Sequence, residues 1–390
     1  MRYAVNPGVR EVAAPPIGET RQWLAGRRFP ADKPLLDVAQ AVPGYPPAAQ
    51  LSAHLARCLE DPEMALYTPV PGIDALREAL ATAMAEQYRG AVTAHQVAIT
   101  AGCNQAFCLV ASTLAGPGDE VILPLPWYFN HQMWLELQGI TPVGLSFDPD
   151  SGTLPDPDKA RALITPRTRA ITLVTPNNPT GAVYPPELVA AFFELAREHG
   201  IALILDETYK DFLPGDDPPH TLFQRPDWAD TLIQLYSFSK VYCLTGYRVG
   251  SVIGAPAMLA ELDKLADCVA ICAPRIGQEA ALYGLHHLDS WRRDKARLMA
   301  ERASALQAAL GLAGLRYRLL SVGAYFAYLE HPFADQPAAR VARRLVDEQN
   351  LLCLPGSAFG PGQERYLRLA FANLDAQWMP ELAARLLASQ

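Results

Sequence analysis

No stretch of this 390-residue chain is apolar for long enough to suggest a membrane span. The most apolar long stretch, about residues 96–116, is interrupted by Asn104 and Gln105 and marked by glycine. The opening residues, Met1 to Pro7, lack the apolar centre of a secretory leader. There is no block of five or more like charges and no basic stripe, and the net charge is −8. A nucleic-acid or other polyanion partner is therefore disfavoured. No strand-like run leads into a glycine-rich dinucleotide fingerprint, which argues against a nicotinamide dehydrogenase, and no phosphate-binding P-loop is present. The seven cysteines (Cys58, Cys103, Cys108, Cys243, Cys268, Cys272 and Cys353) are odd in number and form no CxxC pair. Free thiols in a reducing compartment are expected, with no disulfide framework and no metal site. No period of 20–50 residues recurs and no segment is of low complexity. Together these absences describe a soluble cytoplasmic protein.

What is present is a regular alternation. Residues 1–45 are rich in Pro and Arg and read as an arm with one helix. Residues 73–88 read as an amphipathic helix behind Gly72. Gln96–Thr100 reads as a strand. Gly102 then turns the chain into an apolar helix that ends at Gly116-Pro117-Gly118. Strands follow at Glu120–Leu125, Arg169–Thr175, Ile201–Leu205, Thr231–Tyr236 and Val249–Ile253. A helix opens at Pro185-Pro186 and closes at Gly200. Short apolar strands between helices indicate an α/β fold whose mostly parallel sheet is covered on both faces. From about residue 276 long helical patterns precede strands at Tyr325–Leu329 and Tyr366–Phe371, a smaller α+β unit. The expected division is 1–45 for the arm and part of the small domain, 46–275 for the large domain and 276–390 for the small one.

In such sheets a ligand sits beyond the carboxyl ends of the strands. There the sequence places Gly102-Cys103-Asn104 at a helix N-terminus, suited to a phosphate. It also places Trp127 and Tyr128; the rigid turn from Pro176 through Asn178 to Gly181; Asp206 and Tyr209; and Ser237, Ser239, Lys240, Gly246 and Arg248. An anion cradle, a flat ring, a carboxylate, a phenol and an amine converge in this reading. Pyridoxal 5'-phosphate, an anionic, planar, basic aldehyde, satisfies all five.

The chain resembles the class I/II aminotransferases of pyridoxal-phosphate fold type I over nearly its whole length. The stretches that carry the resemblance include Tyr67 ahead of Gly72, Thr100-Ala101-Gly102 and Pro117-Gly118-Asp119-Glu120-Val121. They continue with Asn178-Pro179-Thr180-Gly181, Asp206-Glu207-Thr208-Tyr209 and Ser237-Phe238-Ser239-Lys240. The last are Gly246-Tyr247-Arg248-Val249-Gly250, and Pro355-Gly356 to Phe359-Gly360 followed by Arg368. Each is weak alone; the ordered set is specific. The resemblance implies a large domain with a seven-stranded, mostly parallel sheet in three α/β/α layers, plus a small α+β domain built from both chain ends.

It also implies roles. Lys240 would carry the cofactor as a Schiff base and shuttle the proton. Asp206 would pair with the ring nitrogen, supported by His131, and Tyr128 would stack on the ring. Asn178 and Tyr209 would bond the ring oxygen. Ser237, Ser239, Arg248 and the amides after Gly102, at Cys103 and Asn104, would take the phosphate. Tyr67 would reach the phosphate of a neighbouring subunit, which implies a homodimer. Arg368 would clamp the substrate carboxylate as a fork, with a Gly44 amide and Asn178 nearby. The implied activity is ping-pong transfer of an amino group between an L-amino acid and a 2-oxo acid. The same scaffold also serves lyases, such as carbon–sulfur β-lyases and synthases of the cyclopropane amino acid kind, which form the second reading. A PLP-fold regulator would carry an added helix-turn-helix domain, which the Pro-broken first 45 residues do not suggest. Cys103 and Asn104 stand where many relatives have a small residue and an alcohol, so any hydroxyl contact there is lost. Arg10, Arg21, Arg27, Arg28 and Arg275 are candidates for a second, side-chain-reading arginine.

Overall fold

A computed structural model describes residues 3–150, 152–213, 215 and 217–390. Met1 and Arg2 of the opening stretch lie outside the described residues. Strands are numbered in chain order, beginning with β1 (Leu36–Asp37). Next come β2 (Val97–Thr100), β3 (Glu120–Pro124), β4 (Thr141–Leu145), β5 (Thr168–Val174), β6 (Ala202–Asp206), β7 (Leu232–Ser237) and β8 (Gly250–Ile253). These seven form one sheet in the order β2-β8-β7-β6-β5-β3-β4. Neighbours are parallel except at β8, which runs against both β2 and β7.

The unbroken apolar strands follow from cover on both faces. Leu203 and Leu205 of β6 join Leu173 of β5 and Phe192 and Phe193 of the helix Pro186–Glu198 in one cluster. Ile204, between them, joins Ala170, Val121 and Val110 in another on the opposite face. Each fully buried leucine of this kind contributes about 1.5–3 kcal/mol. The helix itself starts with Pro186 at its first position and Glu187 in its first turn, and carries Arg197 in its last, matching the peptide dipoles.

The C-terminal part adds β9 (Arg318–Gly323), β10 (Phe326–Glu330), β11 (Leu351–Leu352), β12 (Leu354–Pro355) and β13 (Tyr366–Ala370). A four-stranded antiparallel sheet runs β12-β13-β10-β9. The mixed α/β fold with a large, mostly parallel sheet and a smaller second sheet is therefore as the sequence indicates. β1 pairs in parallel with β11, Leu36 against Leu351, so the N-terminal arm is sewn into the C-terminal part.

Two elements differ from the sequence reading. β4 was not expected, because Pro142 and Gly144 interrupt its apolar run. It lies at the sheet edge, where a missing N–H is tolerated. The arm holds two short helices, Pro7–Glu11 and Pro16–Gln22, rather than one, each with proline at its first position.

The topology positions the site. β2, β3, β5, β6 and β7 all end at one edge of the sheet. β8 is antiparallel and begins there, with Gly250 beside Thr100 and Ser237. Residues just before β8 thus meet residues just after the others. Among the described residues, no helix is long and apolar enough to cross a membrane.

Candidate active site

At that edge a cavity of about 430 Å³ opens. Its floor is the turn from β2 into the helix Cys103–Leu114. Gly102 caps that helix with φ +87°. An added Cβ would lie 2.1 Å from a guanidinium nitrogen of Arg248, so only glycine lets the arginine lie against the turn. Arg248 donates to the carbonyls of Thr245, at 3.0 Å, and Ala101, at 3.3 Å. Cys103, Asn104, Ser237, Ser239, Thr245, Gly246 and Arg248 line this end of the cavity. A helix N-terminus, hydroxyls and a guanidinium make an anion site.

The middle of the cavity holds Asp206, at the end of β6. Its carboxylate accepts from the Thr208 amide at 3.0 Å and lies 3.4 Å from His131 Nε2. The His131 ring stacks on Phe107, with centroids 3.8 Å apart. Burial alone would push the Asp206 carboxyl up, but His131 and Thr208 outweigh it and hold it below its ordinary value. The neighbouring Glu207 turns the other way, into a buried cluster with Tyr88, Gln234 and His220. Tyr128 flanks the cavity, and its hydroxyl donates to Asn104 at 3.3 Å. Burial raises the Tyr209 phenol well above its usual range, so it stays a proton donor.

Lys240 and Arg368 also line the cavity. Lys240 Nζ donates to the Ala41 carbonyl at 2.9 Å and lies 5.9 Å from the Tyr209 ring centroid. Burial, then the positive charges of Arg368 and Arg248, lower its amine to about 8. Arg368, fully buried on β13, donates to Asn178 Oδ1 at 3.1 Å and to the Ala39 carbonyl. Among the described residues its Nε has no partner. Burial brings its guanidinium down to about 10. Asn177 shapes the turn that presents Asn178: its Oδ1 accepts from the Thr180 amide at 3.1 Å and hydroxyl at 3.0 Å.

Cys103, Asn104, Tyr128, Asn178, Asp206, Tyr209, Ser237, Ser239, Lys240, Arg248 and Arg368 thus face one cavity, with Gly102 beneath Arg248 and His131 behind Asp206. Two expected residues do not face it. Tyr67 is 76% exposed on the surface. Gly44 packs against the Ala372 carbonyl and Arg302; the preceding residues Gln40, Ala41 and Val42 line the cavity instead. Ile17, Phe129, Val174 and Thr208 also line it and were not anticipated. Only Thr208 carried a signal, through its place between Asp206 and Tyr209. Among the described residues, none of the five candidate arginines lines the cavity. Arg27 pairs with Asp347, Arg275 lies near Glu63 and Glu279, and Arg21 bonds Gln40 from outside.

The family model "Aminotransferase class I and II" matches residues 31–386. The chain belongs to the class I and II aminotransferases. The chain is 33% identical to the arginine–pyruvate transaminase of Pseudomonas aeruginosa, over 82% of this chain and 81% of that one. An aromatic aminotransferase of Arabidopsis thaliana is 29% identical, covering 90% and 88% of the two chains. The aspartate aminotransferase of Thermus thermophilus, solved with maleate, superposes over all of both chains with a TM-score of 0.90 and 25% identity. These relatives are transaminases, so this aminotransferase is an enzyme of amino-group transfer rather than the lyase of the second reading.

Proposed function

We propose that this aminotransferase works with pyridoxal 5'-phosphate held in the cavity, and that it exchanges amino groups between an L-amino acid and a 2-oxo acid by a ping-pong scheme. The observation that carries the reading is the charge pattern of the lining: Lys240, Arg248 and Arg368 against the single carboxylate of Asp206. Three cations at the wall of one cavity call for anionic ligands, and a phosphate and a carboxylate are two such groups. The residues fit that cofactor. The Gly102–Asn104 turn, Ser237, Ser239 and Arg248 would take its phosphate. Tyr128 would cover the ring, Asn178 and Tyr209 would donate to its oxygen, and Asp206 would face its nitrogen. The unpartnered Nε of buried Arg368 fits a substrate carboxylate bound as a fork.

When bound, the cofactor supplies a sink for the electrons left on the amino acid's α-carbon. The chain's own residues do the rest. Asp206, kept ionised by His131, holds a proton on the ring nitrogen. Lys240, with an amine brought near neutrality, takes the α-proton at Nζ and returns it. Arg368 sets the α-carbon within reach of that nitrogen. Ile17, Val42 and Phe129 also line the cavity and would favour an apolar side chain.

A homodimer also belongs to this reading. Leu59, Leu66 and Tyr67 are exposed on one segment, and Val269 and Ile271 on another. Arg275, 3.9 Å from Glu63, draws the two segments together. Such a patch suits a second copy, with Tyr67 reaching the partner's cofactor.

The test is direct. Purified protein is loaded with pyridoxal phosphate and mixed with single amino acids while the cofactor absorbance is followed. Amino acids with apolar side chains should bleach it, and a 2-oxo acid should restore it. Bleaching by no amino acid, or bleaching with release of ammonia, overturns the reading.

A further inference from the structure

The reaction assigns work to the side chain of Lys240, but its backbone is held by groups with no role so far. The Tyr45 hydroxyl lies 3.3 Å from the Lys240 carbonyl oxygen, and the Tyr325 hydroxyl also lies at 3.3 Å. The two hydroxyls are 3.2 Å apart. Among the described residues, the one other donor to that carbonyl is the Cys243 amide, in a long turn contact of 3.4 Å. Three hydroxyl contacts share two protons. Either both phenols donate to the carbonyl, or one donates to it and receives the other's proton. Burial holds both phenols above their ordinary range, so both remain donors at working pH.

The placement of the pair is informative. Tyr325 stands between β9 and β10, fully buried against Tyr209 and Phe212. Tyr45 belongs to the loop after β1. Asn373 holds that loop, donating to the Gln40 carbonyl at 2.6 Å and accepting from the Val42 amide at 3.2 Å. Cys243 Sγ closes the contact from the lysine's side, donating to the Tyr45 carbonyl at 3.0 Å. Arg368 sits on β13 opposite Tyr328 of β10, in the sheet that Tyr325 leads into. The lysine is therefore tied to the same frame as the carboxylate fork. Proton transfer from an α-carbon one bond from that carboxylate depends on this separation.

We propose that Tyr45 and Tyr325 are positioning residues: their hydroxyl pair fixes the Lys240 carbonyl, and with it the place from which Nζ works. The inference rests on Lys240 being the amine that serves the cofactor. The test uses full-length enzyme loaded with pyridoxal phosphate, as wild type, Tyr45→Phe, Tyr325→Phe and the double variant. Each single change leaves one hydroxyl free to turn to the carbonyl, so kcat should stay within about threefold of wild type. The double variant should lose about tenfold or more in kcat, beyond the product of the singles, with KM for the amino acid nearly unchanged. The pH midpoint of the bound-cofactor absorbance should move by about half a unit, on the order of a threefold change in proton affinity.

A folded double variant with wild-type kcat and midpoint overturns the proposal, as does a rise in KM alone. Should the double variant not fold, the two singles decide. One hydroxyl holds the carbonyl less firmly than two, so small midpoint displacements in the same sense in both singles support the pair, and unmoved or opposed midpoints overturn it. Borohydride reduction of the loaded wild type, followed by peptide mapping, separates this from the reading beneath it. A label on a lysine other than Lys240 sinks the proposed function itself. A label on Lys240 with unmoved variants sinks only the positioning pair.

Discussion

Lys240 and Arg368, far apart in the chain, donate hydrogen bonds to backbone carbonyls two residues apart, those of Ala41 and Ala39. One short loop therefore registers the Lys240 amine and the Arg368 guanidinium, the proposed carboxylate fork, against each other. Asn373 holds it from behind, with Nδ2 donating to the carbonyls of Asp37 and Gln40. Arg368→Lys would keep a charge but lose the fork and one of its two anchors, Asn178 or Ala39. The expected outcome is an amino acid KM raised about 100-fold, with the cofactor absorbance of the loaded protein unchanged. Steady-state kinetics over a range of amino acid concentrations checks it.

The lowered Lys240 amine gives a pH dependence with a definite sign. A neutral amine attacks an aldehyde; a protonated one does not. With the amine near 8, capture of added pyridoxal phosphate by cofactor-free protein should speed up as pH rises and level off above that value. Stopped-flow absorbance from pH 6 to 10 reads the midpoint. Lys240→Ala should capture none at any pH, and full turnover should be abolished.

Asp206→Ala should lower kcat about 100-fold or more while the protein still binds the cofactor, because the ring nitrogen loses its counter-charge. His131→Phe should give a smaller loss in the same direction, since it removes the group that outweighs the burial of Asp206. A slowed exchange of the α-proton into deuterated solvent identifies the affected step.

Next to Asp206 the structure predicts the opposite kind of effect. Tyr88 donates to Glu207 at 2.6 Å inside the buried cluster. Tyr88→Phe should cost about 1–3 kcal/mol of stability, because Glu207 keeps its burial and loses a donor. Turnover at 25 °C should stay near wild type. Urea unfolding and kinetics on the same preparation separate the two quantities.

Much of this site was legible in the sequence because its residues stand at strand ends, and strand ends show as switches from apolar runs to glycine, serine, asparagine or aspartate. Asp206 after Ala-Leu-Ile-Leu and Lys240 after Ser237 are of that kind. Ile17, Gln40 and Val42 are not. They lie on the arm, which the β1–β11 pairing and Asn373 hold against the C-terminal part, and those long-range contacts have no local sequence pattern. Gly44, whose amide was expected beside the substrate carboxylate, packs against Ala372 and Arg302 instead, because spacing along the arm does not reveal which residue faces inward. β4 was missed because an edge strand tolerates the proline and glycine that break a central one. Tyr67, on the surface of this chain, asks for a neighbour that one chain's sequence cannot supply.

The seam between β1 and β11 has a consequence for biosynthesis. Leu36 meets its partner only after Leu351 has been made, and the Ala39 carbonyl meets its guanidinium only after residue 368. The large sheet between them is complete by residue 253, and the helices Pro256–Ala270 and Arg275–His287 that finish its cover follow soon after. On the ribosome the arm must therefore wait while the centre condenses, and the cavity acquires its Arg368 wall in the last stage of synthesis.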